Sequence, residues 1–209
     1  MKILNVKPED IEKRSMELIE EGLNGRRWPE PEFSIIKRCI HTSADFDYAD
    51  NLTFSEDAAR IGIEAIRSGA HIITDTKMAL SGINKRTLSA YGGEVHCFIS
   101  DESVAEEAKA RGCTRAKVSM ERGAALEGKN IFAIGNAPTA LIRVNELIKE
   151  GKLEPALIIG VPVGFVNVIE SKELIMDSGV PYIVAKGRKG GSNIAAAICN
   201  AMMYYKGEI

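Results

Sequence analysis

The stretch Asn130–Val161, "NIFAIGNAPTALIRVNELIKEGKLEPALIIGV", decides the fold. "NIFAIG" is a short, nearly continuous apolar run. "PTALIRVNELIKEG" then carries apolar residues at helical spacing between Pro138 and Gly151, and "PALIIGV" is a second apolar run. A strand, a helix and a strand in that order make a βαβ unit. Strands without polar alternation belong to a parallel sheet covered on both faces.

The same alternation extends in both directions. Upstream lie the strand "IIKRCIH", the helix "SEDAARIGIEAIRSG", the strand "AHIITDT", a helix near "NKRTLSAYG", the strand "EVHCFI" and the helices "DESVAEEAKARG" and "MERGAALEG". Downstream lie the helix "GFVNVIESKELIMDSG", the strand "PYIVAKG" and the helix "GGSNIAAAICNAMMYY". Repeated units of this length predict an α/β fold, a single domain over residues 1–209, built as a doubly wound parallel sheet with helices on both faces. At the N-terminal end, "PEDIEKRSMELIEEGL" reads as an amphipathic helix with an acidic first turn, and "GRRWPEPEF" reads as a turn too short to separate domains.

Composition agrees. A chain of 209 residues, 45% hydrophobic and 27% charged, can bury a sizeable core. The formal net charge of −2 leaves no electrostatic footprint for nucleic acid and no polybasic membrane patch, so the expected partners are small molecules or other proteins. Cys39, Cys97, Cys113 and Cys199 are scattered without metal-ligand spacing and read as buried free thiols of a reducing compartment. No signal-peptide apolar region opens the chain, and no run approaches the ~20 apolar residues of a membrane span; the expected location is the cytoplasm.

In open parallel sheets, ligands bind outside the carboxyl ends of the strands. That rule points to "HTSAD", "TDTKM", "GNAPTAL", "GVPVGF" and "KGRKGGS". Asn136 and Pro138 are placed to open a helix whose N–H groups face outward. Gly190 and Gly191, with Lys186, Arg188 and Lys189, would let an anion approach the backbone. Gly and Pro also simply punctuate turns, and both readings stand for these loops.

There is no GxGxxG after a strand, no GxxxxGK[ST], no GxSxG and no HExxH. Redox-cofactor, metal and activated-nucleophile signatures are therefore missing. Of three histidines, His71 starts a strand and His96 lies in one, whereas His41 opens the "HTSAD" loop and is the candidate for proton chemistry. Asp45 and Asp47 either orient its imidazole or cap the next turn. Arg14, Arg38, Arg115 and Arg122 are available for substrate carboxylates.

"RCIHTSAD", "TDTKMALSGI", "GCTRAKVSM", "IGNAPTAL", "IIGVPVGFVNVIESKE" and "KGRKGGSNIAAAICNA", in this order, closely resemble the precorrin-8X methylmutase family of cobalamin biosynthesis, including its cobalt-precorrin-8 members. "IEKRSMELI" resembles that family's opening helix, so the likeness spans nearly the whole chain. Asn167 and Val168 depart from the commoner alanine-containing version of their motif, a difference expected to tune packing. The resemblance implies a flavodoxin-like fold, a homodimer with active sites near the subunit interface, and an isomerase that moves a methyl group of the tetrapyrrole macrocycle from C-11 to C-12. It makes His41 the catalytic acid and puts Ser15 and Arg115 near the substrate.

Beside these, Thr42, Asn136 and Thr139 are candidate substrate-binding residues, together with Lys189, Gly190, Gly191 and Ser192. No cofactor and no metal ligand is expected, since a methyl shift within one conjugated ring needs neither. Trp28 and "TRAKVSMERGAAL" are the expected dimer contacts. Two other functions compete: a non-catalytic corrinoid carrier using the same loops, and a sugar-phosphate or nucleotide transferase using "GNAPTAL" and "GRKGGS" as phosphate cradles.

Overall fold

The computed structural model describes residues 6–209; residues 1–5, the start of the stretch in which no signal peptide was read, lie outside the described residues. After a 3₁₀ turn at Pro8–Asp10 come α1 (Ile11–Gly22), α2 (Glu32–Ser43), α3 (Tyr48–Asn51), β1 (Leu52–Phe54) and α4 (Ala58–Arg67). Next are β2 (His71–Thr74), α5 (Lys77–Gly82), α6 (Lys85–Ala90), β3 (Val95–His96), α7 (Glu102–Ala110) and α8 (Arg115–Ala124). The chain finishes with β4 (Asn130–Ile134), α9 (Pro138–Lys149), β5 (Leu157–Gly160), α10 (Val168–Met176), β6 (Tyr182–Ala185) and α11 (Ser192–Tyr204).

The six strands form one sheet in the order β1-β6-β5-β4-β2-β3. From β2 to β6 every pairing is parallel, in the flavodoxin-like winding, as the resemblance implies. β1 departs from the all-parallel expectation: it adds an antiparallel edge, with Leu52 opposite Ala185.

Side chains alternate across the strands and feed two cores. Ile72, Ile131, Leu157, Ile159 and Ile183 pack with α4, α5 and α11 on one face, while Ile73, Phe132, Ile134, Ile158 and Val184 pack with α8, α9 and α10 on the other. On the first face α2 lies against α11, so the hairpin of α1 and α2 forms an additional outer layer.

That layer corrects one sequence expectation. Residues 35–41 are not a strand but the middle of α2. The run "IIKRCIH" is rich in Ile and too short for periodicity to discriminate. Extended back to Phe33, its buried residues Phe33, Ile36 and Ile40, with Ile35 and Cys39, fall at helical spacing. Consequently "HTSAD" follows a helix, and His41 sits in that helix's last turn.

Winding reverses between β2 and β4, where this architecture opens a crevice. Asp75, directly after β2 and 2% exposed, fills it. Its carboxylate accepts hydrogen bonds from the backbone N–H groups of Gly135 (2.9 Å), Asn136 (2.8 Å) and Ala137 (2.6 Å) at the start of α9. Burial raises the Asp75 pKa above the usual carboxylate value, against the downward pull of the three donors. The N–H groups expected to face a ligand therefore end on an internal anion.

The neighbouring loop is packed as closely. A Cβ on Gly190 would lie 2.1 Å from the Val161 carbonyl oxygen, and one on Gly135 would lie 2.6 Å from the Ser192 Cα. Here glycine serves the approach of backbone to backbone.

From α10, Lys172 reaches beneath this loop. Its side chain is among the largest fully buried ones, and its ammonium donates to the carbonyls of Gly187 (2.7 Å) and Lys189 (2.9 Å). Burial lowers its pKa from 10.5 to about 8.

Two outcomes are expected. Asp75→Ala strands three N–H groups and should lower stability by about 3 kcal/mol in urea unfolding, with Asp75→Asn intermediate because one acceptor oxygen survives. For Lys172, the folded pKa lies below the unfolded one, so the unfolded chain binds more protons between about pH 8 and 10.5. Wild type should therefore gain stability relative to Lys172→Met as pH rises through that window, read from urea midpoints at pH 7, 8, 9 and 10.

Candidate active site

His41 opens onto a recess of about 320 Å³ lined by Ser15, Leu18 and Ile19 of α1, Ile40 and His41 of α2, and Ala44 and Phe46 of the turn that follows. Ile19 and Ile40 are buried and form an apolar floor; Leu18 and Phe46, 43% and 42% exposed, stand as walls. The recess exists because α2 ends sharply. Ala44 adopts a left-handed conformation (φ 54°), and its N–H bonds the carbonyl of Ile40 at 2.7 Å.

The chain then folds back and lays the Phe46 ring on Gly22 of α1. A Cβ at Gly22 would sit 2.5 Å from that ring. Ser15 donates its hydroxyl to the Ile11 carbonyl at 2.8 Å, which leaves its oxygen able to accept. His41 is exposed. The arrangement offers an imidazole and a hydroxyl at the mouth of an otherwise apolar cleft, suited to proton transfer with a flat apolar ligand.

Asp45 and Asp47 pair with Lys189. The Lys189 ammonium donates to Asp45 at 2.6 Å and also to Asp47. Lys189 and the backbone N–H of Asp47 hold the Asp45 pKa below the usual carboxylate value, and the two carboxylates raise that of Lys189. This pairing ties the turn beside His41 to the β6–α11 loop.

The β5–α10 loop joins the same edge through the Gly164 N–H to the Arg188 carbonyl (3.2 Å), with the Arg188 guanidinium 6.0 Å from the Phe165 ring. That loop presents Val163, Phe165 and Val166 at 47%, 85% and 77% exposure.

The remaining candidates are distributed. Thr42 lines a separate recess of about 310 Å³ with Arg38, Asn193 and Tyr204. Thr139 accepts a hydrogen bond from Thr114 (3.1 Å), the N-cap of α8, next to which the exposed Arg115 begins that helix. Arg14, Arg38 and Arg122 are committed to Glu17 and Glu21, Glu12, and Glu107 respectively.

Asn136 exposes its side chain while its N–H serves Asp75. Gly191 donates to the Val161 carbonyl, and Ser192, buried, shares a 2.7 Å hydrogen bond with Thr76. The structure thus brings Ser15 and His41 together, places Lys189 against their neighbouring turn, and sets Arg115 with Thr139 elsewhere on the molecule. His71 and His96 meet edge to face at 5.2 Å across β2 and β3.

Three residues of consequence escaped the sequence reading. Asp75 stood inside a flagged loop but was not distinguished from a turn residue. Lys172 gave no local signal, since it lies in the polar stretch "ESKE" of α10 and passes for a solvated position. Phe46 gave none, since its packing depends on the absence of a side chain at Gly22. Among the described residues, no group of three or more His, Cys, Asp or Glu could hold a metal ion, and no helix is long and apolar enough to cross a membrane.

A family model described as precorrin-8X methylmutase matches residues 10–205. The chain is 46% identical to the cobalt-precorrin-8 methylmutase of Salmonella typhimurium, over 96% of this chain and 97% of that one. It is 45% identical to the cobalt-precorrin-8 methylmutase of Priestia megaterium, over 96% and 89%. Among solved structures, the precorrin-8X methylmutase of Thermus thermophilus superposes with a TM-score of 0.86 at 37% identity, covering 93% of this chain and 94% of that one. The α1–α2 hairpin, its recess and the wound sheet all fall within the matched span, and the chain belongs to the precorrin-8X methylmutase family.

Proposed function

We propose that this methylmutase isomerises precorrin-8, moving the C-11 methyl group to C-12 with His41 as general acid. The observation that carries the reading is that the imidazole of His41 and the hydroxyl of Ser15 share one apolar recess. The bond from the methyl group to C-11 breaks as the bond to C-12 forms, so substrate and product have the same composition. A proton placed on the macrocycle, or a strong hydrogen bond to it, makes the conjugated system electron-poor and eases the shift, and the proton returns to His41 afterwards. General acid assistance of this kind contributes about 10²- to 10⁴-fold, or roughly 3 to 5 kcal/mol.

The Salmonella and Priestia relatives carry the cobalt-precorrin-8 name, which favours the cobalt form as substrate and the cobalt corrin, cobyrinic acid, as product. The recess is open on one side and holds only an edge of a macrocycle. Arg115 and the Thr114–Thr139 pair lie apart from it, so one bound disc needs a second wall. A homodimer that packs through the exposed Val163, Phe165 and Val166 supplies one, and the exposure of these residues supports it.

A corrinoid carrier is the second reading, since an apolar cleft beside a histidine also suits holding the product. His41→Ala separates them. It should lower kcat for cobalt-precorrin-8, followed by the visible spectrum, by about 10²- to 10⁴-fold while product Kd changes less than about threefold. Binding without conversion by wild type would leave the carrier; full turnover by His41→Ala would remove the acid role. In sedimentation velocity, Phe165→Asp should shift the dimer toward monomer.

A further inference from the structure

We propose that Lys172 and Lys189 are positioning residues of the His41 recess, acting through the turn at residues 44–47 to hold the Phe46 ring as the wall on which the macrocycle rests. This inference rests on the function proposed above and extends it to residues outside the recess.

The placement of Lys172 is costly. An ammonium taken into the interior is tolerated only when its donors are satisfied, and a leucine at this place in α10 would serve packing alone better. Its two acceptors, the carbonyls of Gly187 and Lys189, flank Arg188 in one loop. The base of that loop is fixed by the Gly191 N–H on Val161, and its middle by the Gly164 N–H on Arg188. Three attachments thus set where the Lys189 side chain departs from the loop.

Lys189 spends its charge within the protein. Its ammonium is divided between Asp45 and Asp47, the residues immediately before and after Phe46. Asp45 also accepts the N–H of Asp47 at 3.0 Å, which closes the turn around the aromatic. The ring fits against α1 only because Gly22 has no side chain. A turn released from Lys189 would be free to carry Phe46 off that seat. A lone exposed ion pair contributes little to global stability, so the consequence of this one is local geometry.

The test measures kcat and KM for cobalt-precorrin-8, and product Kd, in wild type, Lys189→Ala, Lys189→Arg, Lys172→Met and Phe46→Ala, and in the double variants carrying Phe46→Ala. The Lys189→Ala and Lys172→Met losses should fall on KM and Kd, by roughly 3- to 30-fold, with kcat much less affected. Lys189→Arg should restore most of the loss. In the Phe46→Ala background, either lysine substitution should add less than about twofold, because its route to substrate is gone.

A readout without substrate accompanies these: amide hydrogen exchange at residues 45–47 should quicken in both lysine variants while β4 stays protected. Losses that multiply in the double variants, or exchange at 45–47 unchanged, overturn the proposal. If Lys172→Met does not fold, Lys172→Gln, which keeps a donor beneath the loop, takes its place with a smaller loss in the same direction. Failure of wild type to bind or convert the corrinoid would count against the proposed function, and the exchange experiment would still decide the positioning role.

Discussion

The carboxylate of Asp75, seated on three N–H groups at the start of α9, locks together the two elements between which the winding of the sheet reverses. Flavodoxin-like sheets offer a ligand crevice where the winding reverses, with a helix N-terminus ready for an anion. Here that crevice is closed by the chain's own acid, and the adjoining loops press glycine backbone against backbone. With the switch point occupied, the sheet becomes a platform. His41, the proposed acid, stands in the outer layer, on a helical hairpin carried by α11.

A proposed acid at a helix end has a physical rationale. A macrocycle is too broad for a crevice between two strand ends, but it can lie along a shallow apolar surface with one edge in a cleft. α1 and α2 provide such a cleft from Leu18, Ile19, Ile40 and Phe46, and the left-handed residue Ala44 ends α2 directly beyond His41, bringing Phe46 back beside the imidazole. The polar groups of this region satisfy one another: Asp45 and Asp47 with Lys189, and Lys172 with two loop carbonyls. What remains facing the cleft is mostly apolar, with a histidine and a serine.

Much of this was legible in the sequence. The strand–helix alternation from His71 to Tyr204 gave the wound sheet because buried parallel strands and amphipathic helices have different periods. The chain before it was less legible. Residues 35–41 passed for a strand since Ile-rich runs of that length suit either state, and β1, three residues long, was too short to register. His41 and Ser15 were both identified, and their union in one recess depended on α2 being a helix packed on α1. The glycines of "KGRKGGS" read equally as a ligand cradle or as turn residues, because a sequence shows that backbone must approach something without showing what. Asp75 and Lys172 owe their roles to partners 60 and 15 positions away, a separation no local pattern encodes.

The two ends of the sheet carry a consequence for self-association. β1 spans three residues and β3 two, so neither edge offers a row of unpaired backbone groups long enough to recruit a strand from another molecule. Among the described residues, the surfaces left for contact between copies are those of helices and loops. Side chains on those surfaces can be altered residue by residue without touching the hydrogen-bonded ladder of the sheet.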